Sequence, residues 1–316
     1  MTTGRLPDFI IGGAMKAGTT SLHRTLAQRA DVFIPAGEVS FFDVDDVVQN
    51  PDFLSVGPDG ASRDLDPLAA PNLAWYRSLF AAASPAQLVG EDSTTYLAST
   101  LAPERVRRIL PDVKLVFLLR DPVNRAYSHY WHLVRTGRAV FAFEHALRLA
   151  PELIVQRGLY RDQLERWLAA FPREQVHIAF FEDFVTDPAS VINAVCTFLG
   201  LPPFTELPAE RLHENRGGPI VTPAANRAFN WLLGHRLDRY GHPLTRPGTG
   251  VGATGSPGRR PAVRVGKWLT ARLVRDYPPM ARGTRHALEA LYARANHGLA
   301  DLIDDDVARR WPWSED

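Results

Sequence analysis

Phe9-Ile10-Ile11-Gly12-Gly13-Ala14-Met15-Lys16-Ala17-Gly18-Thr19-Thr20-Ser21-Leu22 decides how this chain folds. Its first three residues read as a buried strand, Gly12 and Gly13 open a loop, and Leu22 with Leu26, four residues apart, begins a helix. A strand, a glycine-bearing loop and a helix in that order make the opening of an α/β crossover. Small residues let backbone approach a ligand closely, and a helix N-terminus offers free N–H groups and the positive end of its dipole. Lys16 adds a point charge, the backbone of Ala17 and Gly18 adds close approach, and Thr19, Thr20 and Ser21 add hydroxyls. The combination suits a phosphate.

The same alternation continues downstream. Leu88-Val89 is a short strand ending at Gly90-Glu91-Asp92, and Leu115-Val116-Phe117-Leu118-Leu119 is an apolar run of the kind that parallel sheets bury on both faces. Val176 to Phe181 is a further strand. Asp187-Pro188 starts a helix with Ile192, Val195 and Leu199 on one face, and Gly200 ends it. Strands separated by helices imply right-handed parallel crossovers, so the fold class is α/β, a three-layer α/β/α arrangement around a central, mainly parallel sheet. Residues 241–262, where ten of 22 positions are Gly or Pro, read as a mobile loop. Leu288, Leu291, Tyr292, Leu299 and Leu302 then return at helical spacing. Residues 1–316 are expected as a single domain, with that C-terminal helical segment packing back on it.

Composition narrows the function. Hydrophobic residues at 45% exclude a disordered chain. No apolar run approaches the ~20 residues of a membrane span, and Met1 to Asp8 lacks a signal-peptide profile, so a cytoplasmic location is expected, with peripheral membrane contact left open. The single cysteine, Cys196, excludes an intrachain disulfide and a multi-cysteine metal site. With 36 basic against 35 acidic residues, overall charge does not suggest a nucleic-acid partner. Only Lys16, Lys114 and Lys267 among the 36 are lysine, a bias expected of a GC-rich genome. It singles out Lys16, because a compact ammonium and a guanidinium are not interchangeable.

A second anion site follows the apolar run, in Arg120-Asp121-Pro122-Val123-Asn124-Arg125-Ala126-Tyr127-Ser128-His129-Tyr130. Arg120 falls at the carboxyl edge of the sheet, where open α/β folds bind ligands, and can grip a phosphate bidentately; Ser128 can donate a hydroxyl. Asp121 and Pro122 are helix-start residues, and Arg125 is open between ion-pair partner and ligand.

Lys16 precedes Gly18, whereas a Walker A loop places lysine immediately before the Mg²⁺-holding hydroxyl. Lys16-Ala17-Gly18-Thr19-Thr20 instead resembles the 5′-phosphosulfate loop of sulfotransferases that use 3′-phosphoadenylyl sulfate (PAPS), and the Arg120 segment resembles their 3′-phosphate motif. The likeness extends most closely to the heparan sulfate N- and O-sulfotransferase branch and its bacterial members. It implies a P-loop-like sulfotransferase fold, PAPS as donor with adenosine 3′,5′-bisphosphate (PAP) as product, no metal, and Arg120 and Ser128 on the 3′-phosphate. Glu38-Val39-Ser40-Phe41-Phe42-Asp43 matches the stretch carrying that branch's proposed catalytic base, which makes Glu38 the candidate here. Gly37 and Ser40 replace a lysine and a histidine. Glu91-Asp92-Ser93-Thr94-Thr95-Tyr96 resembles a Glu-Lys-Ser-Pro-x-Tyr stretch bordering the acceptor groove, with Asp92 and Thr94 as departures. Ser93 is open between a helix cap and a functional role.

His132 matches a histidine near the acceptor and is the fallback base. By the same likeness, Lys16 is catalytic as well as donor-binding, and Tyr160, Arg216 and Gly217 lie near the nucleotide. The expected activity is sulfuryl transfer to a hydroxyl or amine of a carbohydrate, lipid or small natural-product acceptor. The alternatives are a P-loop-type kinase using ATP and Mg²⁺, or a nucleotide-binding relative without turnover. The acceptor and the oligomeric state are not legible in the sequence.

Overall fold

The computed structural model describes residues 4–54, 65–136, 138–139, 141–208, 242–245 and 278–315. Five strands, β1 (Phe9–Gly13), β2 (Val32–Phe33), β3 (Leu88–Asp92), β4 (Lys114–Leu119) and β5 (Val176–Phe180), form one sheet in the order β2-β3-β1-β4-β5. Every neighbouring pair is parallel. The helices are α1 (Thr19–Leu26), α2 (Ala70–Ser78), α3 (Ala102–Ile109), α4 (Pro122–Arg135), α5 (Phe143–Leu149), α6 (Pro151–Ile154), α7 (Tyr160–Ala170), α8 (Phe181–Thr186), α9 (Pro188–Leu199), α10 (Arg282–Ala295) and α11 (Leu299–Ile303).

β1 and the apolar stretch of β4 are wholly buried, as continuous apolar runs in parallel sheets must be. Each such leucine or isoleucine contributes roughly 1.5–3 kcal/mol by leaving water. Two boundaries differ from the sequence reading. β1 runs through Gly12 and Gly13 instead of ending before them, because its ladder with β4 continues to the pair Gly13–Phe117, and the Phe117 ring occupies the space a side chain at position 12 would need. β3 likewise runs through Gly90, Glu91 and Asp92: the Phe9 ring fills the place of a Gly90 side chain, Glu91 accepts from the Tyr76 hydroxyl, and Asp92 Oδ2 pairs with His23. The two-residue β2 is too short to announce itself.

Helix ends follow their local signals. Asp121 accepts from the amides of Val123 and Asn124 at 2.8 and 3.1 Å, with Pro122 in the first turn. Asp187 caps α9 through Ser190, and Gly200 ends it in the left-handed conformation at φ 83°. The C-terminal segment lies against the rest: Leu288 and Tyr292 join an apolar cluster with α4, and Trp311 packs on Tyr160 and Phe180. Arg216, Gly217 and all but 242–245 of the Gly/Pro-rich stretch lie outside the described residues. Among the described residues no helix is long and apolar enough to cross a membrane.

Candidate active site

β1 and β4 are parallel neighbours, so the loops leaving their carboxyl ends emerge side by side, where open α/β sheets bind ligands. The Ala14 amide donates to the Leu118 carbonyl at 2.7 Å and starts the first loop against the end of β4. Lys16 then adopts a left-handed φ of 72°, a conformation costing a non-glycine residue about 1–3 kcal/mol and characteristic of functional loops. Gly18 is the N-cap of α1 and has no side chain to cap it, so the Thr19 and Thr20 amides keep their outward donor capacity, while the Ser21 amide donates to the Gly18 carbonyl at 3.0 Å. Ala17 and Thr19 are buried, while Thr20 and Ser21 are half-buried at the helix entrance.

Arg120 Nη1 donates to the Lys16 carbonyl at 3.0 Å, and its guanidinium lies 4.3 Å from the Phe181 ring centroid. Tyr160, fully buried, donates its hydroxyl to the Arg120 carbonyl at 2.8 Å and therefore lies behind the arginine. The two anion sites inferred from sequence thus touch. Ser128 and His132, four residues apart, share a face of α4. The amides, ammonium and guanidinium fit a ligand with two anionic groups. Asp121 is committed elsewhere: Oδ1 caps α4, while Oδ2 accepts from Asn124 and from the Trp313 indole at 3.3 Å. Arg125 is wholly buried and donates to the Ile154 carbonyl. Among the described residues no three His, Cys, Asp or Glu side chains cluster as a metal site.

Glu38 and Lys16 feel one another's charge. Burial and the Arg135 guanidinium lower the Lys16 ammonium to about 8, with Glu38 pulling the other way and Arg120 adding to the fall. Glu38 is open to solvent on one side, yet the protein around it withholds enough water to raise its carboxyl to about 7. Asp92 adds to that rise, and Thr94, Lys16 and Arg157 oppose it. Thr94 Oγ1 donates to Glu38 Oε2 at 2.8 Å. His132 is pushed down to about 3 by burial and then by Lys16, Arg135 and Arg138, which leaves it neutral and weakly basic.

The contacts of several residues around these loops carry no local signal. Glu91, buried and raised to about 7 by its burial, accepts from the hydroxyls of Ser93 and Tyr96 at 2.6 Å each and from that of Tyr76. Asp92 pairs with His23 Nδ1 at 3.0 Å. Arg157, 4% exposed, donates to Met15 Sδ at 2.9 Å and to the Gln49 carbonyl. His242 holds the Val39 carbonyl through Nε2 at 2.8 Å; because Nδ1 accepts from the Leu244 amide, Nε2 carries the proton. In sequence, family resemblance marks the Glu91–Tyr96 stretch, and the hydroxyl series two to five residues after Glu91 hints at its partners.

A profile described as the sulfotransferase family matches residues 7–206. The Mus musculus heparan sulfate glucosamine 3-O-sulfotransferase 5 is 29% identical over 255 residues, covering 77% of this chain and 66% of its own length. The Homo sapiens bifunctional heparan sulfate N-deacetylase/N-sulfotransferase 2 is 29% identical over 218 residues, 64% of this chain and 23% of its own length. The chain therefore spans just under two thirds of the first relative and under a quarter of the second. A solved sulfotransferase from Alicyclobacillus acidocaldarius aligns with a TM-score of 0.62 at 26% identity, covering 97% of this chain and 99% of that one. With most of its length inside that profile and the same architecture over nearly all of it, this chain belongs to the sulfotransferase family.

Proposed function

We propose that this chain transfers a sulfuryl group from PAPS to a hydroxyl or amine of a carbohydrate, lipid or small natural-product acceptor by in-line displacement, with Glu38 as general base. The observation that carries it is the hydrogen bond from Arg120 to the Lys16 carbonyl, which joins two anion cradles into one site. Names among the relatives favour a carbohydrate acceptor. The donor supplies an activated sulfuryl group on a 5′-phosphate leaving group and a 3′-phosphate handle. The first-turn amides of α1 bind the 5′-phosphate, and Arg120 with Ser128 binds the 3′-phosphate. Lys16 places its ammonium where negative charge builds on the leaving oxygen, and Glu38 takes the acceptor's proton as it attacks. Glu38 is the better base because an acceptor with a pKa of about 7 lies near the working pH, whereas His132 at about 3 is too weak. We read the described parts as one domain.

Titration calorimetry with PAP and with ATP plus Mg²⁺ tests the donor. PAP should bind about tenfold or more tightly than adenosine 5′-phosphate, since a hydrogen bond to a charged group is worth about 1.5–3 kcal/mol. Tight ATP–Mg²⁺ binding without PAP binding would instead favour the kinase. Transfer of label from PAPS to a panel of acceptors separates an enzyme from a non-catalytic binder.

The charges also set a pH optimum. Glu38 must be ionised, so kcat/KM should rise as pH passes through about 7. Lys16 must keep its proton, so kcat/KM should fall as pH passes through about 8. At low concentrations of both substrates the profile is a narrow bell with its maximum between those values. A rate flat from pH 6 to 9 would contradict both assignments.

A further inference from the structure

We propose that Thr94 is a positioning residue for sulfuryl transfer: its hydroxyl, donated to Glu38 Oε2, aims the carboxylate and leaves Oε1 to take the acceptor's proton. The proposal rests on Glu38 being the base. Residues 38–42 are bonded to residues 92–96 one after another. Val39 N–H donates to the Asp92 carbonyl at 2.9 Å and Ser40 N–H to Ser93 Oγ at 2.8 Å. The amides of Phe41 and Phe42 donate to Tyr96 Oη at 2.8 and 3.1 Å. These bonds hold backbone, including Ser40 in its left-handed conformation at φ 46°. Only the Thr94 hydroxyl reaches the Glu38 side chain, among the described hydrogen bonds.

Thr94 is itself immobile. It is 4% exposed, and a β-branched side chain has restricted χ1. Its segment is also tied to the donor side, because Ser93 N–H donates to the Ile11 carbonyl at 3.0 Å and Leu97 N–H to the Gly12 carbonyl at 2.8 Å. One short platform therefore sets the base in register with the loop that carries Lys16. A free glutamate would have to find its reacting rotamer at each turnover, an entropy cost that the hydroxyl removes beforehand.

The bond also favours the ionised carboxylate. The other charged groups acting on Glu38 are Asp92 at the end of β3, Lys16 after β1 and Arg157 before α7, and Asp92 is in turn paired with His23 on α1. Thr94→Val leaves all of these in place and removes one donor, so the carboxyl pKa rises. The acid limb of kcat/KM should move up by about one pH unit, which is about eightfold less activity at pH 6.5. Thr94→Ser should return most of it, and PAP affinity by calorimetry should match wild type in both variants. A Thr94→Val profile superimposable on wild type at equal kcat overturns the proposal. So does a loss of PAP affinity in step with the rate, which marks a merely structural role. Glu38→Gln, run alongside, separates the two levels of argument: wild-type turnover there removes the base assignment itself, whereas an inactive Glu38→Gln with an unshifted Thr94→Val removes only the role of Thr94.

Discussion

Glu38→Gln should lower kcat about 10²–10⁴-fold, the contribution usual for a positioned general base. Glutamine keeps the shape and still accepts from Thr94 through its amide oxygen, so the loop is not released. What it loses is the ability to take a proton. PAP affinity should not weaken beyond about twofold, because the change removes a negative charge near an anion site and breaks no bond to the nucleotide. Single-turnover transfer from labelled PAPS, with calorimetry on the same protein, reads both quantities. The acid limb near pH 7 should vanish together with the rate. Turnover close to wild type would return the choice of base to His132, despite burial and its cationic neighbours holding that imidazole at about 3.

Lys16→Ala should lower kcat about 10²–10³-fold, the loss seen when one preorganised donor to a developing charge is removed. It differs from the Glu38 variant in weakening PAP binding as well, since the ammonium faces the same anion before and during transfer. Lys16→Arg should recover little, because a planar guanidinium does not reproduce a compact ammonium on this left-handed turn. Glu38 also loses the charge that opposes its raised pKa, so the residual activity of Lys16→Ala should need a higher pH than the wild type. Calorimetry and the pH profile of the residual rate check these outcomes. PAP affinity and kcat both unchanged in Lys16→Ala would show that the loop does not hold the donor.

Local chemistry was readable directly from the chain. Phe9–Ile11 followed by a glycine-bearing loop and α1, the apolar run of β4 with Arg120 next, Asp121-Pro122 opening α4, and Asp187 to Gly200 bounding α9 all depend on neighbours within a few residues. Apolar periodicity, caps and turns act over that range, so the α/β class and the loops that follow β1 and β4 were legible in sequence, while Glu38 was singled out by family resemblance alone. The acids of β3 did not. Polarity suggested that Glu91 and Asp92 lie beyond the strand, yet they sit inside it: Glu91 accepts from nearby Ser93 and Tyr96 but also from Tyr76, 15 residues away, and Asp92 pairs with His23, 69 residues away. Arg157 reaches Met15 across 142 residues. A buried charge is tolerated only where the folded chain brings it a donor or an acceptor, and no local pattern encodes a partner that far off. The chemical groups and their approximate order along the sheet edge were therefore set by the one-dimensional pattern. Their contact with one another, and the pKa values that divide Glu38 from His132, came from long-range packing that sets distance and excludes water.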